Sequence, residues 1–326
     1  MALDPCRQPA DAPRGAGLPF VKMQALGNDF VLLDLTRGGE VPPPELLRRL
    51  AHRRRGVGCD QVLVLLPPQA GGDLRMRVFN PDGGEAGQCG NGLRCVARYA
   101  VEAGLVAGPE LRVETAAGLH RARVETPRKG SREGPGPAQV SVELGPPRLE
   151  PEAVPFRPPS PPVGPATYLL EAGLPDAGGL KLEVTVLSLG NPHAVLVVED
   201  AARAPVAELG PALERHPAFP EGANVGFLEV RDRRRVRLRV HERGAGETPA
   251  CGSGASAAVV AARLRGLLEE AVEVHLPGGR LEVRWPGPGK PVELTGPAER
   301  VFEGLWRWRP RRGHGGESEA EEGHGP

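Results

Sequence analysis

The chain has no excess of charge of either sign: 41 Lys plus Arg face 41 Asp plus Glu in 326 residues. That balance argues against nucleic acid or an anionic membrane as a partner. Long apolar runs are also missing. Nothing reaches the roughly 20 residues a membrane-spanning helix needs, and the first 17 residues contain no apolar core of signal-peptide length. Cysteine is scarce and odd in number, with five residues scattered over the chain and no CxxC pair. This spacing excludes a secreted disulfide framework and gives no structural zinc motif. No GxxxxGK[ST] phosphate loop occurs. Together these absences lead us to expect a cytoplasmic, reducing environment with free thiols, no membrane, no nucleic acid, no metal and no cofactor.

Gly (45) and Pro (37) make up about a quarter of the residues, close to the level that marks low complexity. They gather in an N-terminal arm (1–17), a loop over Thr126–Ala138, the stretch Pro151–Pro165 and a tail over 310–326. Arm and tail are expected to be disordered. Between these stretches lie patterned segments. Phe20–Leu35 reads as strand, turn, strand around Gly27-Asn28-Asp29, and Glu45–Arg54 as a helix. Gln61–Leu66, Leu74–Phe79, Leu111–Glu114, Val140–Leu144, Val184–Leu189, Ala194–Val198, Val225–Val230 and Val236–His241 read as strands.

One pattern occurs twice. Gly84-Glu85-x-x-x-Cys89-Gly90-Asn91-Gly92 matches Gly246-Glu247-x-x-x-Cys251-Gly252-Ser253-Gly254. Each copy runs into an apolar helical segment, Leu93–Leu105 or Ala255–Leu268, the second apolar nearly all round and so suited to burial. The fold class is therefore α/β: two pseudo-symmetric halves, each a mixed sheet or barrel wrapped around a central helix.

The repeat carries a chemical implication. A cysteine in a Gly-rich turn at a helix start meets unpaired N–H groups and a partial positive charge. We expect this to lower its pKa towards neutrality and to cradle a carboxylate. Two such thiols on opposite faces of one carbon can invert it, one removing a proton and the other returning one. A single buried cysteine is more often inert, which is the reading for Cys6, Cys59 and Cys95. A cysteine hydrolase would leave the second copy unexplained. The residues alone leave open an amino-acid racemase of other specificity and a catalytically silent amino-acid-binding protein.

The segments GNDFVLLD, FNPDGGEAGQCGNGLRC, GNPHAV, GANVGF and ERGAGETPACGSGA, in this order, resemble the diaminopimelate epimerase family from about Phe20 to Trp308. The resemblance implies epimerisation of LL-diaminopimelate to the meso isomer, a step towards lysine and peptidoglycan, by a cofactor-independent homodimer. It implies Cys89 and Cys251 as the acid–base pair. The backbones of Gly90, Asn91, Gly252 and Ser253 would hold the reacting carboxylate, and Asn28 and Gln61 would line the site. Asn80, Asn191, Asn224, Glu242 and Arg243 would hold the distal end, with His193 and Glu242 tuning the thiols. The first half would span 18–145 plus 297–309 and the second 146–296. His241 stands where Tyr or Trp is common in the family, and Phe302 where some members carry a tyrosine linked to dimer packing.

Overall fold

A computed structural model describes residues 17–87, 89–125, 138–174 and 178–307. Apart from Gly17 and Ala138, the arm, the 126–138 loop and the tail named above lie outside the described residues, as does Cys6.

The chain opens with a hairpin, β1 (Leu18–Ala25) and β2 (Asn28–Asp34). Its two turn residues, Leu26 (φ 55°) and Gly27 (φ 86°), both take positive φ, the backbone that matches the twist of a two-residue hairpin. Leucine tolerates this because its side chain is buried, wedged against Gly279, where a Cβ would come within 2.7 Å of Leu26 Cδ2. This wedge fixes the start of β2, where Asn28 sits.

α1 (Pro44–Ala51) follows, then β3 (Gln61–Leu66), β4 (Leu74–Phe79) and the short β5 (Glu85–Ala86). α2 (Gly90–Glu102) leads to β6 (Glu110–Thr115), β7 (Gly118–Val124) and β8 (Ala138–Glu143). The second half repeats the order. β9 (Thr167–Leu174), β10 (Gly178–Ser188) and β11 (Pro192–Val197) precede α3 (Val206–Glu214). β12 (Asn224–Asp232), β13 (Arg235–Glu242) and β14 (Gly246–Thr248) precede α4 (Gly252–Leu264). β15 (Ala271–Leu276), β16 (Gly279–Arg284) and the long β17 (Glu293–Trp306) complete the chain.

The pairings close a ring. β1 pairs with β2, β2 with β3 in parallel, β3 with β4, β4 with β6 in parallel, β6 with β7, β7 with β8, β8 with β17, and β17 returns to β1. α2 lies inside this barrel and packs against each of its strands. The second series runs from β9 through β10, β11, β12, β13, β15 and β16 to β17, with parallel pairs β11–β12 and β13–β15. Beyond β8, the chain stays hydrogen-bonded to Val292 and then bridges Arg148 to Ser188, which links β17 back to β10. β17 therefore serves both series: it pairs with β8 and then β1 of the first, and its Glu293–Thr295 also pairs with β16 of the second.

The order of parallel and antiparallel pairs is the same in the two series, and each surrounds one helix. α4 is buried on nearly every side, from Ala255 through Ala262. Its side chains are mostly Ala, Ser and Val, which lets strands approach closely, and full burial of Val259 and Val260 contributes about 1.5–3 kcal/mol each. One hydrophobic core joins residues of α2 and α4. α1 covers a second cluster with β2 and β3, and α3 covers a third with β9–β12.

Candidate active site

Both helices begin earlier than their apolar pattern does. α2 starts at Gly90 and α4 at Gly252, because Cys89 and Cys251 act as their N-caps. Each cysteine has extended backbone, and each Sγ accepts the N–H of the residue three along, Gly92 or Gly254, at 3.3 Å. Neither glycine has room for a side chain: a Cβ would sit 2.9 Å from Leu63 Cδ2 in one case and 3.1 Å from Val240 Cγ2 in the other. The first N–H groups of each helix, at Gly90 and Asn91 and at Gly252 and Ser253, have no intrahelical acceptor by geometry. Two helix starts thus present a thiol and free amide donors in the same way.

The two starts converge on one cleft of about 670 Å³. Of the residues singled out in the sequence, Asn28, Gln61, Asn80, Cys89, Gly90, Asn91, Glu242, Arg243, Cys251, Gly252 and Ser253 line it. Asn191, His193 and Asn224 are not among the lining residues. Asn224 is buried and works through the backbone, its Oδ1 accepting Arg243 N at 3.0 Å and its Nδ2 donating to Pro192 O at 3.1 Å. His193 is buried, with Nε2 3.0 Å from Asn191 Oδ1. Burial, then the nearby Arg243 charge, brings its pKa down to about 3, so the ring is neutral.

Sequence reasoning missed Asp60, which also lines the cleft. Its Oδ2 accepts both Asn28 Nδ2 (2.8 Å) and Asp29 N (3.0 Å). Asn28 Oδ1 accepts Asn91 Nδ2 at 3.1 Å, and Gln61 Nε2 donates to Asn80 Oδ1 at 2.9 Å. The cleft wall is a chain of amides held from a carboxylate that is itself held by Arg53 (2.6 Å). Only the adjacency Asp60-Gln61 hinted at this, because Asp60 and Asn28 lie 32 residues apart. Thr248 was missed as well; its hydroxyl donates to Glu242 Oε1.

The structure also explains the repeated glutamate. Glu85 of β5 is gripped by Arg77 of β4 through two bonds (2.8 and 2.6 Å), and Glu247 of β14 by Arg239 of β13 in the same way (2.7 and 2.8 Å). Each fork fixes the strand that delivers its cysteine.

The thiols are a correction to the sequence reading, which expected helix starts to lower their pKa. Burial instead pushes Cys89 up to about 11 and Cys251 well above its usual 9.0. The backbone donors at Gly92 and Gly254 oppose this but do not outweigh it, and the Glu242 carboxylate adds to the rise at both thiols. The balance at both cysteines thus favours the thiol over the thiolate. Cys59 and Cys95 are buried, each raised to about 12 by desolvation, as inert core thiols should be. Among the described residues, no group of three or more His, Cys, Asp or Glu side chains is arranged to hold a metal ion, and no helix is long and apolar enough to cross a membrane.

Comparison with known proteins shows the family and the fold. A family model described as diaminopimelate epimerase matches residues 20–149 and 185–301. A diaminopimelate epimerase from Halorhodospira halophila is 52% identical over 286 residues, covering 87% of this chain and 93% of that one. One from Stutzerimonas stutzeri is 47% identical over 291 residues, covering 89% and 99%. Among solved structures, a probable proline racemase from Agrobacterium radiobacter K84 superposes with a TM-score of 0.62 at 20% identity, covering 90% of this chain and 94% of that one. A hydroxyproline epimerase from Agrobacterium vitis superposes with a TM-score of 0.63 at 17% identity, covering 89% and 92%. These two share the fold.

Proposed function

The chain belongs to the diaminopimelate epimerase family, and from that premise we propose that it inverts one α-carbon of LL-diaminopimelate through Cys89 and Cys251. The enzyme is an isomerase that epimerises diaminopimelate in lysine biosynthesis. The observation that supports the two-thiol reading is the matched placement of both cysteines as N-caps on one cleft.

In this reading the α-carboxylate lies between the two helix starts and accepts N–H groups of Gly90, Asn91, Gly252 and Ser253. Negative charge that builds there as the C–H bond breaks is met by donors already in place. The thiolate of one cysteine takes the α-proton and becomes a thiol. The thiol of the other gives its proton to the opposite face and becomes the thiolate, so charge and protons balance and the roles are exchanged for the reverse direction. Burial favours the protonated form of both thiols, so the active form is the one in which one of them has given its proton to solvent.

The distal end of the substrate needs a cation and an anion. Arg243 and Glu242 stand side by side at the end of β13 on the cleft, suited to a distal carboxylate and ammonium. Asn80 and Gln61 supply neutral donors and acceptors on the other wall. Asn191, His193 and Asn224 fit a supporting role, with Asn224 holding the backbone of Arg243. No cofactor has a step in this mechanism.

We assign residues 18–145 with 297–309 to the first half and 146–296 to the second, with β17 crossing between them. Among the described residues all four cysteines are free, which suits a reducing cytoplasm. Val301 (54%), Phe302 (48%) and Leu305 (46%) are exposed apolar side chains on β17 that a homodimer would cover.

A panel of amino acids tests the substrate. Epimerisation of diaminopimelate, with no α-proton exchange in amino acids that lack the distal carboxylate, is the expected result. Equal turnover of a substrate without that group would remove the assignment.

A further inference from the structure

Arg94 is the fifth residue of α2, the first Cys-Gly helix, and its guanidinium is fully buried. It does not line the cleft; it lies beneath it. Nη2 donates to Asn91 Oδ1 at 3.0 Å, in the first turn of α2. Nε reaches Pro297 O of β17 at 3.4 Å. Nη1 is buried and has no hydrogen-bond partner among the described residues. That same Nη1 would lie 3.7 Å from a Cβ placed on Gly252, the first residue of α4. One cation is thus bonded to the start of α2 and lies close beside the start of α4.

The placement is electrostatically unfavourable unless a negative charge lies close to it. Each helix start carries a partial positive charge of about half a unit, and a full positive charge is added below them without water. Burial lowers the affinity of Arg94 for its proton, bringing its pKa to about 10, so it remains charged at neutral pH. A buried charge with an unpaired N–H is costly unless something offsets it. The titratable groups bearing on this point are Cys89 and Cys95 at α2, with Glu242 of β13 acting on Cys89 and on Cys251 at α4. β17 contributes Gly296 and the Pro297 carbonyl. A negative charge between the helix starts is what this arrangement lacks.

We propose that Arg94 is a positioning residue for the reaction: a buried counter-charge that holds the Asn91 amide across the two helix starts and balances the negative charge gathered there when substrate binds. The inference rests on the reading of Cys89 and Cys251 as the acid–base pair. It acts in two ways. Through Asn91 it fixes a side chain that also bonds Ala250 O at 3.2 Å, next to Cys251. By its charge it opposes the carboxylate of Glu242 at the Cys89 thiol and so favours the thiolate.

Two substitutions separate these effects. Arg94→Gln keeps a donor for Asn91 without charge, and Arg94→Lys keeps the charge. The test follows alkylation of Cys89 by iodoacetamide against pH, resolved by peptide mass spectrometry, alongside the pH profile of kcat/KM. We expect Arg94→Gln to move the alkylation midpoint to higher pH by about one unit and to lower kcat/KM near neutrality about tenfold, the equivalent of one pKa unit. Arg94→Lys should keep the wild-type midpoint. Identical midpoints in all three proteins, with only a lower melting temperature in the variants, would overturn the proposal. If Arg94→Gln does not fold, Arg94→Lys decides. A wild-type melting temperature with a raised midpoint would show that charge is not what matters. Alkylation needs no substrate, so the two readings fail separately. An active wild type with unmoved midpoints removes Arg94, whereas moved midpoints in a protein inert towards diaminopimelate remove the substrate.

Discussion

Asn91 donates from Nδ2 to the Ala250 carbonyl at 3.2 Å, so the residue two after one thiol is tied to the residue before the other. The same amide reaches Asn28 Oδ1 (3.1 Å) and accepts Arg94 Nη2 (3.0 Å). Both ends of this side chain are therefore spoken for by groups from β2, α2 and the segment leading to α4.

Asn91→Ala should accordingly do two things. It leaves the Arg94 Nη2 donor and the Ala250 carbonyl without this partner, which costs about 1–3 kcal/mol, read as a lower urea midpoint. It also frees the two thiols from each other, so kcat should fall by more than KM rises. Unchanged kcat with reduced stability would restrict Asn91 to a packing role.

The raised thiols make the protein sensitive to alkali. A thiol near 9.0 when unfolded and at about 11 or 12 when folded (Cys89, Cys59, Cys95) binds its proton longer in the native state. Above pH 9 the unfolded state therefore holds fewer protons, and stability falls as pH rises. The contribution is fully present below pH 9 and is lost through pH 11–12. Melting temperature should decline from about pH 9 upward, and less steeply in Cys59→Ala after allowing for its cavity. A flat profile to pH 11 would contradict the assigned burial.

The Arg77–Glu85 and Arg239–Glu247 forks lie on matching strands. Both are partly exposed, so each adds no more than about 1 kcal/mol to stability. Their stronger effect should be on the placement of the cysteines. Glu247→Gln should change the melting temperature little and lower kcat/KM several-fold. A large loss of stability with normal kinetics would reverse that ranking.

Phe302 stands edge-on to Phe20 with ring centroids 5.9 Å apart and is half-exposed on β17. Phe302→Glu should convert a dimer to a monomer, read by light scattering after gel filtration. A wild type that is monomeric at micromolar concentration would remove the proposed homodimer.

Much of this was legible in the sequence. Gln61–Leu66 and Leu74–Phe79 form strands with the expected bounds: the first is a short apolar run buried on both faces, the second alternates apolar and charged residues, and both patterns read as strand. The duplicated Cys-Gly motif foretold two equivalent helix starts. What escaped depends on distant partners. α3 carries Pro211 inside it, which masks a helix, and it forms because Leu209 and Leu213 bury against β9–β12. β17 looks like a charged, irregular tail, yet its 14 residues extend because β8, β16 and β1 supply partners along it. The direction of the thiol pKa was misjudged for the same reason. Local sequence shows the helix start but not the apolar walls and the Glu242 carboxylate that fold brings to it.

The most direct test incubates LL-diaminopimelate with the enzyme in D₂O and follows α-deuterium together with the meso isomer. Wild type, Cys89→Ala and Cys251→Ala are run side by side. The account expects deuterium uptake with inversion in wild type and no inversion in either variant, each of which keeps only one of the two faces. Inversion that survives loss of either thiol would contradict the two-thiol mechanism.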